Sequence, residues 1–178
     1  MANVHIYPEH QGILNGLVST HRVASHEGRT ETGPFNSYRD AYVFAASLGV
    51  ALNQPTSESA MPTSKRGSTD IHDTTFLDAD GARELVFTVI LLQGLDDHDV
   101  AENGLRVQLE RIADTDKGES LALLDRYAYA GFEWLKKTTK DVGTTRELVM
   151  EAIDKVVSVD HAPVDFLSQK DPLLKFLM

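Results

Sequence analysis

The chain contains no cysteine. That excludes a disulfide framework, a thiolate zinc site, an iron–sulfur cluster and a cysteine nucleophile. Basic residues are scarce, 17 Lys and Arg against 27 Asp and Glu, for a net charge of −10. Nucleic acid attracts proteins through phosphate neutralisation by a basic patch. None is visible, so direct nucleic-acid binding is not expected. No apolar run exceeds about eight residues, far short of the roughly 20 a membrane span needs. The opening residues, Met1 to His5, lack a basic n-region and an apolar h-region, so a cytoplasmic protein is expected. Phosphate loops of the Gly-x-x-x-x-Gly-Lys-Ser/Thr or Gly-x-Gly-x-x-Gly kind are missing, as is a Gly-x-Ser-x-Gly elbow. No catalytic residue and no cofactor is therefore expected.

What remains is an ordinary globular composition, 42% apolar and 25% charged over 178 residues. That length argues for one domain spanning residues 1–178. The charge is uneven. Thirteen of the 27 acidic residues, but only four of the 17 basic ones, lie between positions 70 and 120. Such a stretch suits a docking face for a basic partner or a DNA-like surface. It equally suits a series of helix starts, where Asp and Glu are favoured.

Helical signals dominate the pattern. Val4 to Tyr7 reads as a short strand or extended arm that ends at Pro8. Ile13, Leu14, Leu17 and Val18 fall on one side of a helix expected from Glu9 to about Ser25, weakened by Gly12 and Gly16. Ser37, with Asp40 three residues on, starts a clearer helix through Leu48. Gly49 stands where a C′ residue would close it. Its apolar face predicts that Tyr42, Phe44 and Ala45 are buried near the centre of the core. Residues 51–69 form a long polar loop rich in Pro and Ser. The run Leu85 to Leu92 reads as helix, capped by Asp80 and ended by Gly94, in preference to a buried strand. Asp99-x-x-Glu102, Asp116-x-x-Glu119 and Thr144-x-x-Glu147 mark three further helix starts. The last of these precedes Val149, Ile153 and Val156. Asp171-Pro172 opens a final short helix. The expected fold is a single irregular all-α domain of about six or seven helices with little or no β. Residues 140–178 would form a C-terminal helical extension.

Chemistry-bearing clusters are few. His5, His10, His21 and His26 fall early, but His21 and His26 are about 140° apart round a helix, so no helical metal pair forms. The densest ligand cluster is Asp70, His72, Asp73, Asp78 and Asp80. Asp78-Ala79-Asp80-Gly81 resembles part of a calcium loop, yet the twelfth position would be Phe87 in place of Glu. A metal-dependent, nuclease-like enzyme built on these five residues is one alternative reading; an acidic DNA mimic is another. A turn followed by a helix cap is the plainer account of the same residues. Tyr127, Ala130 (or Gly131) and Trp134 share one stripe, which reads as core.

Two stretches are candidate interfaces. One is the acidic middle, with Asp96, Asp97, Asp99 and Glu102. The other is the apolar end, with Phe166, Leu173, Leu174, Phe176 and Leu177. A chain end this apolar docks on its own core or on another chain, so a homo-oligomer or a protein partner is open.

Glu31 to Gly49 (ETGPFNSYRDAYVFAASLG) and Leu124 to Leu135 (LDRYAYAGFEWL) together resemble the family of small Dnd, or DNA phosphorothioation, system-associated proteins. The resemblance covers about residues 28–137. Tyr129 and Ala130 depart from it, standing where the family pattern has small or polar residues. Both stretches are packing motifs and carry no catalytic residue. The resemblance implies a bacterial or archaeal accessory or adaptor protein of a DNA-modification and restriction system that supports phage defence. It would act through protein partners of that system.

Overall fold

A computed structural model describes residues 3–19, 22–24, 30–78, 81–94, 110 and 116–158. Its axis is the longest helix, α5 (Lys117–Thr138). Asp116 caps it, accepting a 2.7 Å hydrogen bond from the Gly118 N–H. Leu121, Leu124, Ala128, Phe132 and Leu135 recur at helical spacing and are all buried. Against this face lies α2 (Tyr38–Ala51), whose N-cap Ser37 accepts from the Asp40 N–H at 3.2 Å.

The α2–α5 crossing is built on two glycines. A methyl at Gly49 would collide with the Tyr127 carbonyl, and one at Gly131 with the Ala45 carbonyl. The pairs 49 with 127 and 45 with 131 run in opposite senses, so the helices are antiparallel. Gly49 was expected to end α2, but the helix continues through it to Ala51. Close approach, not helix termination, accounts for the glycine. The left-handed residue after the helix is Asn53, at φ 47°.

Around this pair sit α1 (Gln11–Leu17), α3 (Asp73–Leu77), α4 (Ala82–Gly94) and α6 (Thr145–Ser158). The fold is essentially all-α, as expected. α4 is a helix and not a strand; Asp80, its expected cap, lies outside the described residues, as does the helix expected after Asp99. α6 begins with a reciprocal capping box. Thr144 Oγ1 accepts from the Glu147 N–H at 3.1 Å, and Glu147 Oε2 accepts from the Thr144 N–H at 3.1 Å. Its inward residues are Leu148 and Ala152, with Val149 and Val156 half-buried. Ile153, expected on that same face, is exposed.

Strand content is small. β1 (Asn3–Ile6) pairs antiparallel with β4 (Thr69–His72), setting Val4 opposite Ile71 and His5 opposite Asp70. Val4 and Ile6 point into the core while the residues between them do not, the alternation a one-sided strand requires. β2 (Arg22–Ala24) pairs with β3 (Thr30–Thr32). The helix expected over residues 9–25 is thus shorter. A single 3₁₀ turn, Pro8–His10, leads into α1, which ends at Leu17. Val18 is extended and bridges to Phe35. β4 also replaces the turn expected at Asp70. Its partner lies more than 60 residues upstream, so no local signal marks it.

The polar segment 51–69 is tied to α5. Thr56 donates its N–H to the Arg126 carbonyl at 3.1 Å and accepts the Arg126 Nε–H at 2.7 Å. Tyr42 and Ala45 are fully buried, whereas Phe44 is only half-buried, its ring tilted 39° against Phe35 at 5.0 Å.

Candidate functional site

Three residues of α5, Asp125, Tyr129 and Glu133, are spaced four apart and so share one face of the helix. Each holds a residue of the segment running from β1 through the 3₁₀ turn. Asp125 Oδ1 accepts two hydrogen bonds, from the His5 backbone N–H at 2.9 Å and from the Tyr42 hydroxyl at 2.7 Å. Burial pushes the Asp125 carboxyl up to about 6, although both donors pull it down. The same burial, together with Asp125, raises the Tyr42 phenol well above its usual value.

Tyr129 donates its hydroxyl to Glu9 at 3.0 Å, and its phenol is pushed up to about 12 by burial and by Glu9. Tyr7 meets the Tyr129 ring edge-on at 5.5 Å. His10 is completely buried, and its ring lies parallel to Phe132 at 5.4 Å. Its Nε2 is 2.7 Å from Glu133 Oε1, and its Nδ1 has no hydrogen-bond partner. Glu133 also pairs with Lys136 at 3.2 Å. Burial lowers the His10 pKa despite the Glu133 carboxylate. With Nδ1 unpartnered, the tautomer that fits is neutral, with Nε2–H donating to Glu133.

This seam is a latch. Asp125, Tyr129 and Glu133 tie His5, Glu9 and His10 to α5, and Asp125 also ties Tyr42 of α2. Sequence reasoning overlooked it, weighing His10 only among the early histidines as a metal ligand. A signal was present: polar residues at four-residue spacing on an otherwise apolar helix.

The residues singled out from the sequence are scattered. Asp70 and His72 lie on the outward side of β4. Asp70 is engaged by His5 Nδ1 and by the Ser68 hydroxyl, both at 2.8 Å, and the His5 bond holds its carboxyl below the usual range. His72 caps α3. Asp73 pairs with Lys117 at 2.6 Å, which lowers its carboxyl, and with His72 at 2.8 Å. Asp78 lies at an open cavity of about 460 Å³ beside α2, with Arg39, Asp40, Val43 and Phe44 among its other walls. Asp80 lies outside the described residues. Among the described residues, no three His, Asp or Glu side chains converge as a metal ion would need. No helix there is long and apolar enough to cross a membrane. The interface candidates Asp96, Asp97, Asp99, Glu102, Phe166, Leu173, Leu174, Phe176 and Leu177 also lie outside them.

One described surface stands out. On α6, Met150, Ile153 and Val157 are 51%, 44% and 76% exposed. At spacings of three and four residues they form one apolar strip facing away from the core.

The fold is therefore that of a small helical protein with a latched N-terminal segment and an outward apolar helix face. The family model for DNA sulphur modification system-associated protein 4 matches residues 22–162, and the chain belongs to that family. The match reaches beyond both ends of the resemblance read from the sequence and takes in α6. No curated protein and no solved structure matches the chain.

Proposed function

We propose that this protein is a non-enzymatic accessory or adaptor of a DNA sulphur modification system, acting through protein–protein contacts in support of phage restriction. Association with such a system follows from the family. The adaptor role rests on one observation, the exposed apolar strip of α6, because apolar side chains set in a row on a helix face suit a partner surface. The carboxylates of Asp125 and Glu133 in the latch and of Asp70 on β4 support the same reading, since each is engaged in holding the fold together.

The test is co-expression with the modification enzymes of the same system, followed by gel filtration. The expected result is co-elution that is lost in an Ile153→Asp, Val157→Asp double variant. DNA nicking by the purified protein with magnesium or manganese would overturn the reading in favour of a metal-dependent enzyme.

A further inference from the structure

α6 presents two apolar faces, and the inward one accounts for only part of its hydrophobic residues. Leu148 and Ala152 are buried against the body, and Val149 and Val156 are half-buried beside them. At about 100° per residue, Met150, Ile153 and Val157 then fall within an arc of roughly 60° next to the two valines. Past this strip round the helix come Asp154, Glu147 and Glu151, then Lys155, while Arg146 falls within the arc of the strip one turn before Met150; all five are exposed. Neither Glu151 nor Asp154 has an ion-pair partner among the described residues. The strip is thus bounded by the core on one side, by three carboxylates on the other and by Arg146 at its N-terminal end.

We infer that the outer face of α6 docks an amphipathic helix of a partner protein, its apolar stripe on Met150, Ile153 and Val157 and its Lys or Arg residues along Glu147, Glu151 and Asp154. This rests on the adaptor reading and adds the chemistry of the partner. The acidic rim makes the choice of occupant. In an antiparallel helix pair, like flanks face each other. A second copy related by a two-fold axis would therefore set Glu147, Glu151 and Asp154 against their own counterparts. A basic flank meets them with opposite charge, which favours encounter and register. The chain's overall charge of −10 adds to the same attraction.

The test uses the full chain and a fluorescein-labelled synthetic helical peptide of about 18 residues, Leu on one face and Lys on the other, followed by anisotropy. A counterpart with Glu in place of Lys is the comparison. The Lys peptide should bind roughly tenfold or more tightly than the Glu peptide, and should weaken as salt rises. Ile153→Asp or Val157→Asp should each reduce Lys-peptide binding by about tenfold. Both positions are exposed, and unchanged circular dichroism and melting would confirm that the variants fold. Glu151→Lys with Asp154→Lys should reverse the preference between the peptides, whereas Glu58→Lys, exposed within the polar segment 51–69, should leave it intact.

Equal binding by the Val157→Asp variant, or no response to the Glu151 and Asp154 reversals, would overturn the inference. Sedimentation showing a wild-type dimer that Ile153→Asp dissociates would overturn it in favour of a second copy. No peptide binding, with a melting point lowered by Val157→Asp, would overturn it in favour of a segment of this same chain. DNA nicking would remove the adaptor reading while leaving the peptide result standing, so the two fail separately.

Discussion

The Tyr42 hydroxyl meets Oδ1 of Asp125 at 2.7 Å across the α2–α5 contact, and both side chains are closed off from water. That oxygen also receives the His5 N–H. One carboxylate therefore fastens three elements. Asp125→Ala should strand one buried and one part-buried donor and cost about 2–6 kcal/mol, since each unsatisfied buried group costs about 1–3 kcal/mol. Asp125→Asn keeps an acceptor and removes a buried charge, so at pH 8 it should be at least as stable as the parent. Urea melts of the three proteins decide this.

Two buried groups titrate with opposite effects on stability. The folded-state pKa of Asp125 is raised to about 6, so the native state takes up a proton before the unfolded chain does. Its contribution to stability therefore rises as pH falls from about 6 towards 4. The folded-state pKa of His10 is lowered, so the unfolded chain protonates first. The His10 contribution is present above its unfolded pKa, about 6.5, and is lost as pH falls below that. Asp125→Asn should steepen the acid loss of stability, and His10→Gln should reduce it. Melts between pH 4 and 8 that show both variants parallel to the parent would refute these assignments.

Gly49 and Gly131 each lie against a main-chain carbonyl of the opposite helix. A carbonyl cannot swing aside as a flexible side chain can. Gly49→Ala or Gly131→Ala should therefore force α2 and α5 apart and cost about 2–3 kcal/mol, although alanine is the better helix former. Because both act on one crossing, the double variant should lose less than the sum. Stability equal to the parent in either single variant would mean the helices pack further apart.

Phe44 and Phe132 separate surface from core. Phe132→Ala removes a fully buried ring and should cost about 3–5 kcal/mol. Phe44→Ala trims a half-buried ring at the cavity beside α2 and should cost about 1–2 kcal/mol. Thermal melts that reversed this order would contradict the placement of α2.

The helices were legible because their signals are local. Ser37, Asp116 and the Thr144–Glu147 box all cap the helices they were expected to start. The family was legible as well, since its two motifs contain the α2–α5 crossing. What escaped depends on partners distant in the chain. β4 exists because β1 pairs with it, and His10 is buried because Glu133 and Phe132 receive it. Gly49 read as a helix terminator, since glycine has the same letter whether it turns the chain or admits a neighbour. The outward strip of α6 was hidden among hydrophobic residues that a periodicity argument assigns to a single face. Only the burial of Leu148 and Ala152 separates the two faces.

The latch also sets an order of events during synthesis. β1 emerges early, but β4 follows more than 60 residues later, and the Asp125, Tyr129 and Glu133 anchors about 120 residues later. At about 5–20 residues per second, the anchors lag by roughly 6–24 s. Until then Val4 and Ile6 lack the α5 side of their surroundings, and the imidazole of His10 lacks Tyr129, Phe132 and Glu133. The nascent chain thus carries a β1 segment that finds its full place only after α5 is made. Such long-range closure is slow, and it exposes the intermediate to aggregation.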